Sequence, residues 1–315
     1  VTGVQTCALP ISSLLGFGCM RFPTLKDGKI DETKAEQMID LAIKNGVNYI
    51  DTAYPYHNGD SEPFLGKILN KYPRNSYFLA TKLPIWAIEN KDDVYRIFDE
   101  QLQRLETEYI DFYLLHAMNK DYFAKVKELG IIEICEEFRK EGKIKYLGFS
   151  FHDSYEVFDE ILNHYHWDFC QIQFNYMDTE IQAGLKGYEL AKAKDIPLIV
   201  MEPIKGGLLA KLPKEISMMF SQNGNRKSDS SYALKYIANF DHVKVILSGM
   251  STLEQVEDNL DTFNNYTELS KEEHITIEKV VSSLKSRLKN GCTGCRYCMP
   301  CPYGVDIPNN FAIWN

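Results

Sequence analysis

The chain of 315 residues contains no unbroken apolar stretch of 18 or more residues, the length a membrane-crossing helix needs, so no membrane partner is expected. It also has no surplus of basic residues. Its 35 Lys and Arg stand against 44 Asp and Glu, a net charge of −9, which argues against a nucleic-acid footprint. A full G-x-G-x-x-G fingerprint is missing as well: Gly16-Phe17-Gly18 begins one, but Arg21 stands where the third glycine belongs. The eight cysteines are not spread as a secreted disulfide framework would be. Four of them crowd into 292–301, the pattern of a reduced, cytoplasmic protein with one local metal site. With 44% apolar and 25% charged residues, the composition is globular rather than disordered.

Residues 1–11, VTGVQTCALPI, have neither the basic start of a secretory signal nor any strand or helix period. The string resembles the translation of a sequencing-adapter oligonucleotide, and it is read as non-native together with Cys7. The remaining chain has a clear cadence. Apolar runs at 14–18, 47–51, 77–82, 110–116, 144–150, 169–175, 197–202 and 243–248 alternate with stretches of helical period. Examples are 31–46, ending at Gly46, then 91–106 and 122–142. Nearly continuous apolar runs suit parallel strands covered on both faces. Eight βα repeats point to a closed (β/α)8 barrel over 12–268, and a doubly wound sheet is the alternative. Helices follow at 253–263 and at about 271–288, the latter opened by the capping box Ser270/Glu273. Residues 269–315 are read as this helix plus a truncated Cys-rich extension with no closing helix.

Chemistry in such a barrel gathers at the C-terminal ends of the strands. The second apolar run ends in Asp51, with Tyr54 and Tyr56 just beyond, the third in Lys82 and the fourth in His116. Each alone has an ordinary explanation: a packing tyrosine, a hydrogen-bonded core histidine, a structural Lys–Asp pair. Their shared end of the barrel makes them a catalytic candidate. Three segments carry a wider pattern: Ile50-Asp51-Thr52-Ala53-Tyr54-Pro55-Tyr56 with Asn58-Gly59-Asp60-Ser61-Glu62, Leu79-Ala80-Thr81-Lys82, and Tyr109-Ile110-Asp111-Phe112-Tyr113-Leu114-Leu115-His116. Together they resemble the aldo-keto reductase superfamily, over roughly 14–310. The resemblance implies hydride transfer between a nicotinamide cofactor and a small carbonyl or alcohol substrate. It also selects Tyr56 over Tyr54 as general acid, because the family's tyrosine lies five residues after its aspartate. A free phenol is a weak acid, with a pKa near 10. Lys82 is expected to lower it, Asp51 to hold Lys82, and His116 to donate a hydrogen bond to the substrate oxygen.

The same resemblance marks the dinucleotide site. Gly18, Cys19 and Met20 match the segment running beside the cofactor, and Ser150 and Gln171 the holders of the nicotinamide carboxamide. Phe151 replaces the asparagine usual after Ser150. Met201 falls where many members stack an aromatic ring, Glu202, Pro203, Ile204 and Gly206 resemble the pyrophosphate loop, and Gly249, Ser251, Gln255, Asp258 and Asn259 the adenosine segment. Gln255 stands where the best-known members carry a phosphate-gripping arginine. Both NADP and NAD stay open, with a lean to NADP because some relatives with glutamine there still take NADP.

Cys292, Cys295, Cys298 and Cys301 follow C-x2-C-x2-C-x2-C-P. Four closely spaced thiolates ending in Cys-Pro suit a 4Fe-4S cluster, with zinc the runner-up. The stretch resembles a subgroup of the superfamily with a ferredoxin-like extension, and one motif without a second points to an incomplete cluster. Cys19, Cys135 and Cys170 are expected as buried thiols, and Trp86 and Trp167 as either pocket or packing residues. Two other function classes remain: a nicotinamide-sensing regulatory module, and an electron-transfer protein with a redox partner and the barrel as scaffold. The intact Asp51, Tyr56, Lys82 and His116 set favours the enzyme.

Overall fold

The computed structural model describes residues 12–221, 227–287, 289–290, 292 and 298–314. Residues 1–11, read above as non-native, and Cys295 of the cysteine motif lie outside the described residues. The eight apolar runs become β1 (Leu15–Gly18), β2 (Tyr49–Asp51), β3 (Phe78–Leu83), β4 (Ile110–Met118), β5 (Ile144–Phe151), β6 (Phe169–Gln173), β7 (Leu198–Met201) and β8 (Val243–Gly249). They close in sequence order into a barrel, and β1 pairs in parallel with both β2 and β8. The doubly wound alternative is thereby excluded.

The helices are α1 (Glu32–Lys44), α2 (Ser61–Leu69), α3 (Lys91–Arg104), α4 (Lys120–Leu129), α5 (Ile131–Lys140), α6 (Tyr155–His164), α7 (Gly184–Ala193), α8 (Lys214–Phe220), α9 (Asp229–Ala238), α10 (Leu253–Asn264), α11 (Lys271–Lys285) and α12 (Ile307–Trp314). Local chemistry sets their ends. Asp31 caps α1 by accepting from the Lys34 amide, and Ser270 and Glu273 cap α11 reciprocally, as the sequence predicts.

Two expectations fail. The single helix predicted over 122–142 is broken at Gly130, which takes a left-handed φ of 62°. Glycine meets no Cβ penalty there. The break lets α4 turn toward the loop after β3, where Lys125 Nζ donates to the carbonyls of Ile85 and Ile88 at 3.2 and 2.8 Å. The second failure is α12, in a stretch with no predicted helix. Its sequence signal is Asp306, whose carboxylate accepts from the Asn309 amide at 3.4 Å, with Pro308 in the first turn.

Apolar side chains fill both sides of the sheet. Outside it, Phe149, Phe151, Phe158 and Trp167 join the main helix–sheet core. Inside, Tyr49, Phe112, Leu114, Phe169, Val245 and Leu247 form a separate cluster. Phe112 is its hub, with ring centroids 5.0 Å from Tyr49 and 5.1 Å from Phe169. Large rings on these strands require a small residue opposite. A Cβ on Gly16 would stand 2.6 Å from Val245 Cγ1 and 2.8 Å from Leu247 Cδ2. The interior is therefore a plug, not a channel, and polar groups are left to the rim. Beside the barrel, Ile277, Val280 and Leu284 of α11 pack with Ile216 and Phe220 of α8.

Removing the hub ring should be costly wherever the plug cannot collapse. Phe112→Ala is expected to lower stability by about 3–5 kcal/mol, read as a shift in the urea midpoint. An unchanged midpoint would show that the interior cluster contributes little.

Candidate active site

Asp51 ends β2 and Lys82 lies near the end of β3, and the two strands pair with Asp51 opposite Ala80. This register brings the two side chains together. Lys82 Nζ donates to Asp51 Oδ1 at 2.7 Å and to the Thr52 carbonyl at 2.6 Å. Both side chains are buried, at 1% and 3% exposure. Tyr56 opens a short 3-10 turn, Tyr56–Gly59, in which His57 and Asn58 take left-handed backbone angles. The Tyr56 ring lies over Lys82, with Nζ 5.0 Å from its centroid. His116, on β4, stands edge-on to it, with ring centroids 6.2 Å apart. The four residues singled out from strand ends therefore do converge.

Their proton affinities follow from enclosure. Burial, and then Asp51, push the Tyr56 phenol well above its usual value. Lys82, whose ammonium is bonded to Asp51 and the Thr52 carbonyl beneath the ring, does not outweigh that burial. Burial raises the Asp51 carboxyl, and Lys82 opposes that rise. Burial and then the Lys82 charge hold His116 well below the ordinary histidine value. At neutral pH the rim thus offers a protonated phenol and a neutral imidazole, groups able to give a proton and a hydrogen bond to one oxygen.

Trp86 lies 4.9 Å from the His116 ring and 6.4 Å from that of Tyr122 and is 39% exposed, so it belongs to the mouth of the site. Trp167 is a packing residue, its indole donating to the Ile161 carbonyl at 2.8 Å. Cys19, Cys135 and Cys170 are buried free thiols, as expected.

Around the rim, Ser150 pairs across strands with Gln171, and its hydroxyl accepts from the Ala117 amide at 2.8 Å. Gln171 donates to the Met201 sulfur at 3.3 Å, while its buried Oε1 has no partner among the described residues. A buried carbonyl oxygen left open is costly, and it fits the amide of a nicotinamide carboxamide. Phe151 instead packs on Phe158 in the outer layer, 5.1 Å between centroids. After β7, Glu202 and Lys205 take left-handed backbone angles. Lys205 is tied to buried Asp178, which also accepts from Gln173 and Asn175 at 3.0 and 3.1 Å. Sequence reading missed Lys205 and Asp178, because their pairing crosses from the loop after β6 to the loop after β7.

In the last segment, Gln255 Oε1 accepts from the Ser251 amide at 2.7 Å, and Ser251 donates to the Arg21 carbonyl. Asn259 is buried and donates to Ser248 at 2.8 Å. Asp258 is engaged by the hydroxyls of Ser228 and Ser230. Of the cysteine motif, Cys292, Cys298 and Cys301 are described. Among the described residues no three His, Cys, Asp or Glu side chains gather to hold a metal, and no helix is long and apolar enough to cross a membrane.

A barrel plugged below and carrying proton-handling groups above is an oxidoreductase scaffold when a cofactor groove runs along its rim. The model of the Aldo/keto reductase family matches residues 14–282. The chain belongs to that family and is an NAD(P)-dependent oxidoreductase working between carbonyl and alcohol. It is similar to aldo-keto reductase AKR11C1 from Bacillus halodurans in its holo form, at 30% identity and a TM-score of 0.72, covering 87% of this chain and 94% of that one. It is 28% identical to the uncharacterized oxidoreductase YqkF of Bacillus subtilis over 289 residues, 82% of this chain and 89% of that protein. It is 29% identical to the NADH-specific methylglyoxal reductase of Escherichia coli over 203 residues, 58% of this chain and 60% of that protein. The match to the barrel stops before the cysteine motif.

Breaking the buried pair from one side should cost more than replacing it. Asp51→Leu strands the Lys82 charge and is expected to cost about 3–5 kcal/mol, whereas Asp51→Leu with Lys82→Met should recover most of that. Urea unfolding of the three proteins tests this. Equal losses in the single and double variants would count against an uncompensated charge as the cause.

Proposed function

We propose that this enzyme reduces small carbonyl compounds with Tyr56 as proton donor, His116 as hydrogen-bond donor to the substrate oxygen, and Lys82 and Asp51 as the pair that holds the charge beneath Tyr56. The observation that carries this reading is the stacking of the Tyr56 ring over the buried Lys82–Asp51 pair beside His116. When bound, the reduced nicotinamide supplies hydride to the substrate carbon. Tyr56 then gives its phenolic proton to the substrate oxygen, and a neutral His116 keeps one ring N–H to orient that oxygen. For the cofactor, Gln171 and Ser150 are assigned to the carboxamide, with Gln171 Oε1, unpartnered among the described residues, as support. Gly18, Cys19, Met20 and Met201 line the nicotinamide, Glu202, Pro203, Ile204 and Gly206 cover the pyrophosphate, and Gly249, Ser251, Gln255, Asp258 and Asn259 take the adenosine end. With no guanidinium at position 255, the lean toward NADP rests on the family resemblance, and NADPH and NADH are to be compared directly.

The E. coli relative makes methylglyoxal a first probe, with benzaldehyde as a second. Tyr56→Phe should lower kcat by about 10²–10⁴-fold while leaving cofactor binding, followed by nicotinamide fluorescence, intact. Turnover at the wild-type level would refute the assignment. The raised Tyr56 phenol also fixes the sign of the pH response. Reduction needs the proton, so it should hold steady through neutral pH and fall only in alkali. Alcohol oxidation needs the phenolate, so it should climb as pH rises.

We further propose that Cys292, Cys295, Cys298 and Cys301 are ligands of a 4Fe-4S cluster. Support comes from their C-x2-C-x2-C-x2-C-P spacing and their place beyond the family match. The described thiols do not gather into a ligand shell by themselves, so no step of carbonyl reduction is routed through them. Anaerobically prepared protein should contain iron and acid-labile sulfide in about equal amounts. Zinc at one equivalent, without iron, would replace the cluster by a zinc site.

A further inference from the structure

Behind the rim, the first turn of α2 touches both parts of the chain that hold Lys82. Ser61 Oγ lies 2.8 Å from Thr52 Oγ1, and it is the Thr52 carbonyl that accepts from Lys82 Nζ. Glu62 reaches the other side. Its Oε1 accepts from Thr81 Oγ1 at 2.6 Å and from Gln101 Nε2 at 2.8 Å. Gln101 Nε2 also donates to the Lys82 backbone carbonyl at 3.0 Å, and its Oε1 accepts from the Tyr113 hydroxyl at 2.8 Å. Both Ser61 and Glu62 are fully buried, at 0% exposure. The approach is close by design of the sequence: a Cβ on Gly66 would stand 2.8 Å from the Leu105 carbonyl carbon, so only glycine lets α2 lie against the end of α3, which carries Gln101.

We propose that Ser61 and Glu62 are positioning residues that clamp Lys82 beneath Tyr56 from its two sides. The other oxygen of Glu62 pairs with Arg104 at 3.4 Å, yet even a paired buried carboxylate is a poor choice for stability alone, because apolar packing would avoid the desolvation. A fully bonded polar network does specify one geometry. Here every partner of the Glu62 Oε1 oxygen sits on β3 or on the residue that holds the Lys82 carbonyl. The clamp also begins two residues after the turn Tyr56–Gly59, so one short segment sets the donor and the base of its support together. This rests on the reading of Tyr56 as proton donor.

The test compares Ser61→Ala, Glu62→Gln and Tyr56→Phe, each checked for fold by circular dichroism, in methylglyoxal reduction and benzyl alcohol oxidation. The groups facing Tyr56 are Asp51, Lys82, His116, Glu202, Cys19 and Arg21, and none is altered by the two clamp substitutions. Both clamp variants should lose about 10- to 100-fold in kcat with nicotinamide affinity unchanged. The rise of oxidation with pH should also move to more alkaline pH, because a displaced ammonium stabilises the phenolate less. A loss of kcat without that movement marks a structural role and overturns the clamp, as do wild-type profiles in either folded variant. If Glu62→Gln does not fold, Ser61→Ala decides alone. Full turnover in Tyr56→Phe would overturn the underlying reading, whereas an inactive Tyr56→Phe beside unaltered clamp variants overturns the clamp only.

Discussion

The structure turns on an ammonium group kept inside a barrel. An isolated charge in that setting would be prohibitive, so Lys82 is tolerated because Asp51 and the Thr52 carbonyl meet it at hydrogen-bond distance. That requirement reaches outward. Barrel closure fixes the register of β2 against β3. The residue after β2 must present its carbonyl inward, and α2 must sit close enough to β3 and α3 for Ser61 and Glu62 to reach them. The proposed proton donor, Tyr56, is seated on top of this arrangement, and its phenol is governed by the enclosure more than by any one charge.

The aromatic plug has a complementary effect. Tyr49, Phe112 and Phe169 fill the interior with ring surface. Titratable side chains gather instead at the C-terminal ends of β2, β3 and β4, where loops can add further partners. On the opposite part of the rim, a second buried lysine, Lys205, is matched by Asp178, whose carboxylate also accepts from the amides of Gln173 and Asn175. That network shapes the loop after β7 through backbone angles that Glu202 and Lys205 would not adopt without compensation. Two lysine–aspartate pairs thus stiffen the two sides of the groove assigned to the cofactor.

Much of this was legible in the residues themselves. The apolar runs gave all eight strands to within a few positions, because strands buried on both faces leave an uninterrupted signal. Asp51, Lys82 and His116 stood out because a titratable residue at the end of an apolar run is unusual chemistry. The break at Gly130 was hidden, since the helical period runs through it and the cause is a tertiary contact of α4 with the loop after β3. The rise of the Tyr56 phenol is hidden for a related reason. Sequence order places a lysine near the tyrosine, but does not show how far the ring is enclosed.

The sequence by itself determined the barrel cadence, the helix caps and the identity of the rim residues, all of which follow from local periods and spacings. Tertiary structure alone decided how those residues act on one another. Gln101 and Asp178 lie in a helix and a loop with no local mark of importance, and Glu62 is marked only as part of the segment that carries the family resemblance. They matter because closing the barrel sets them behind the lysines, where a hydrogen bond in a water-poor interior holds far more than it would at the surface.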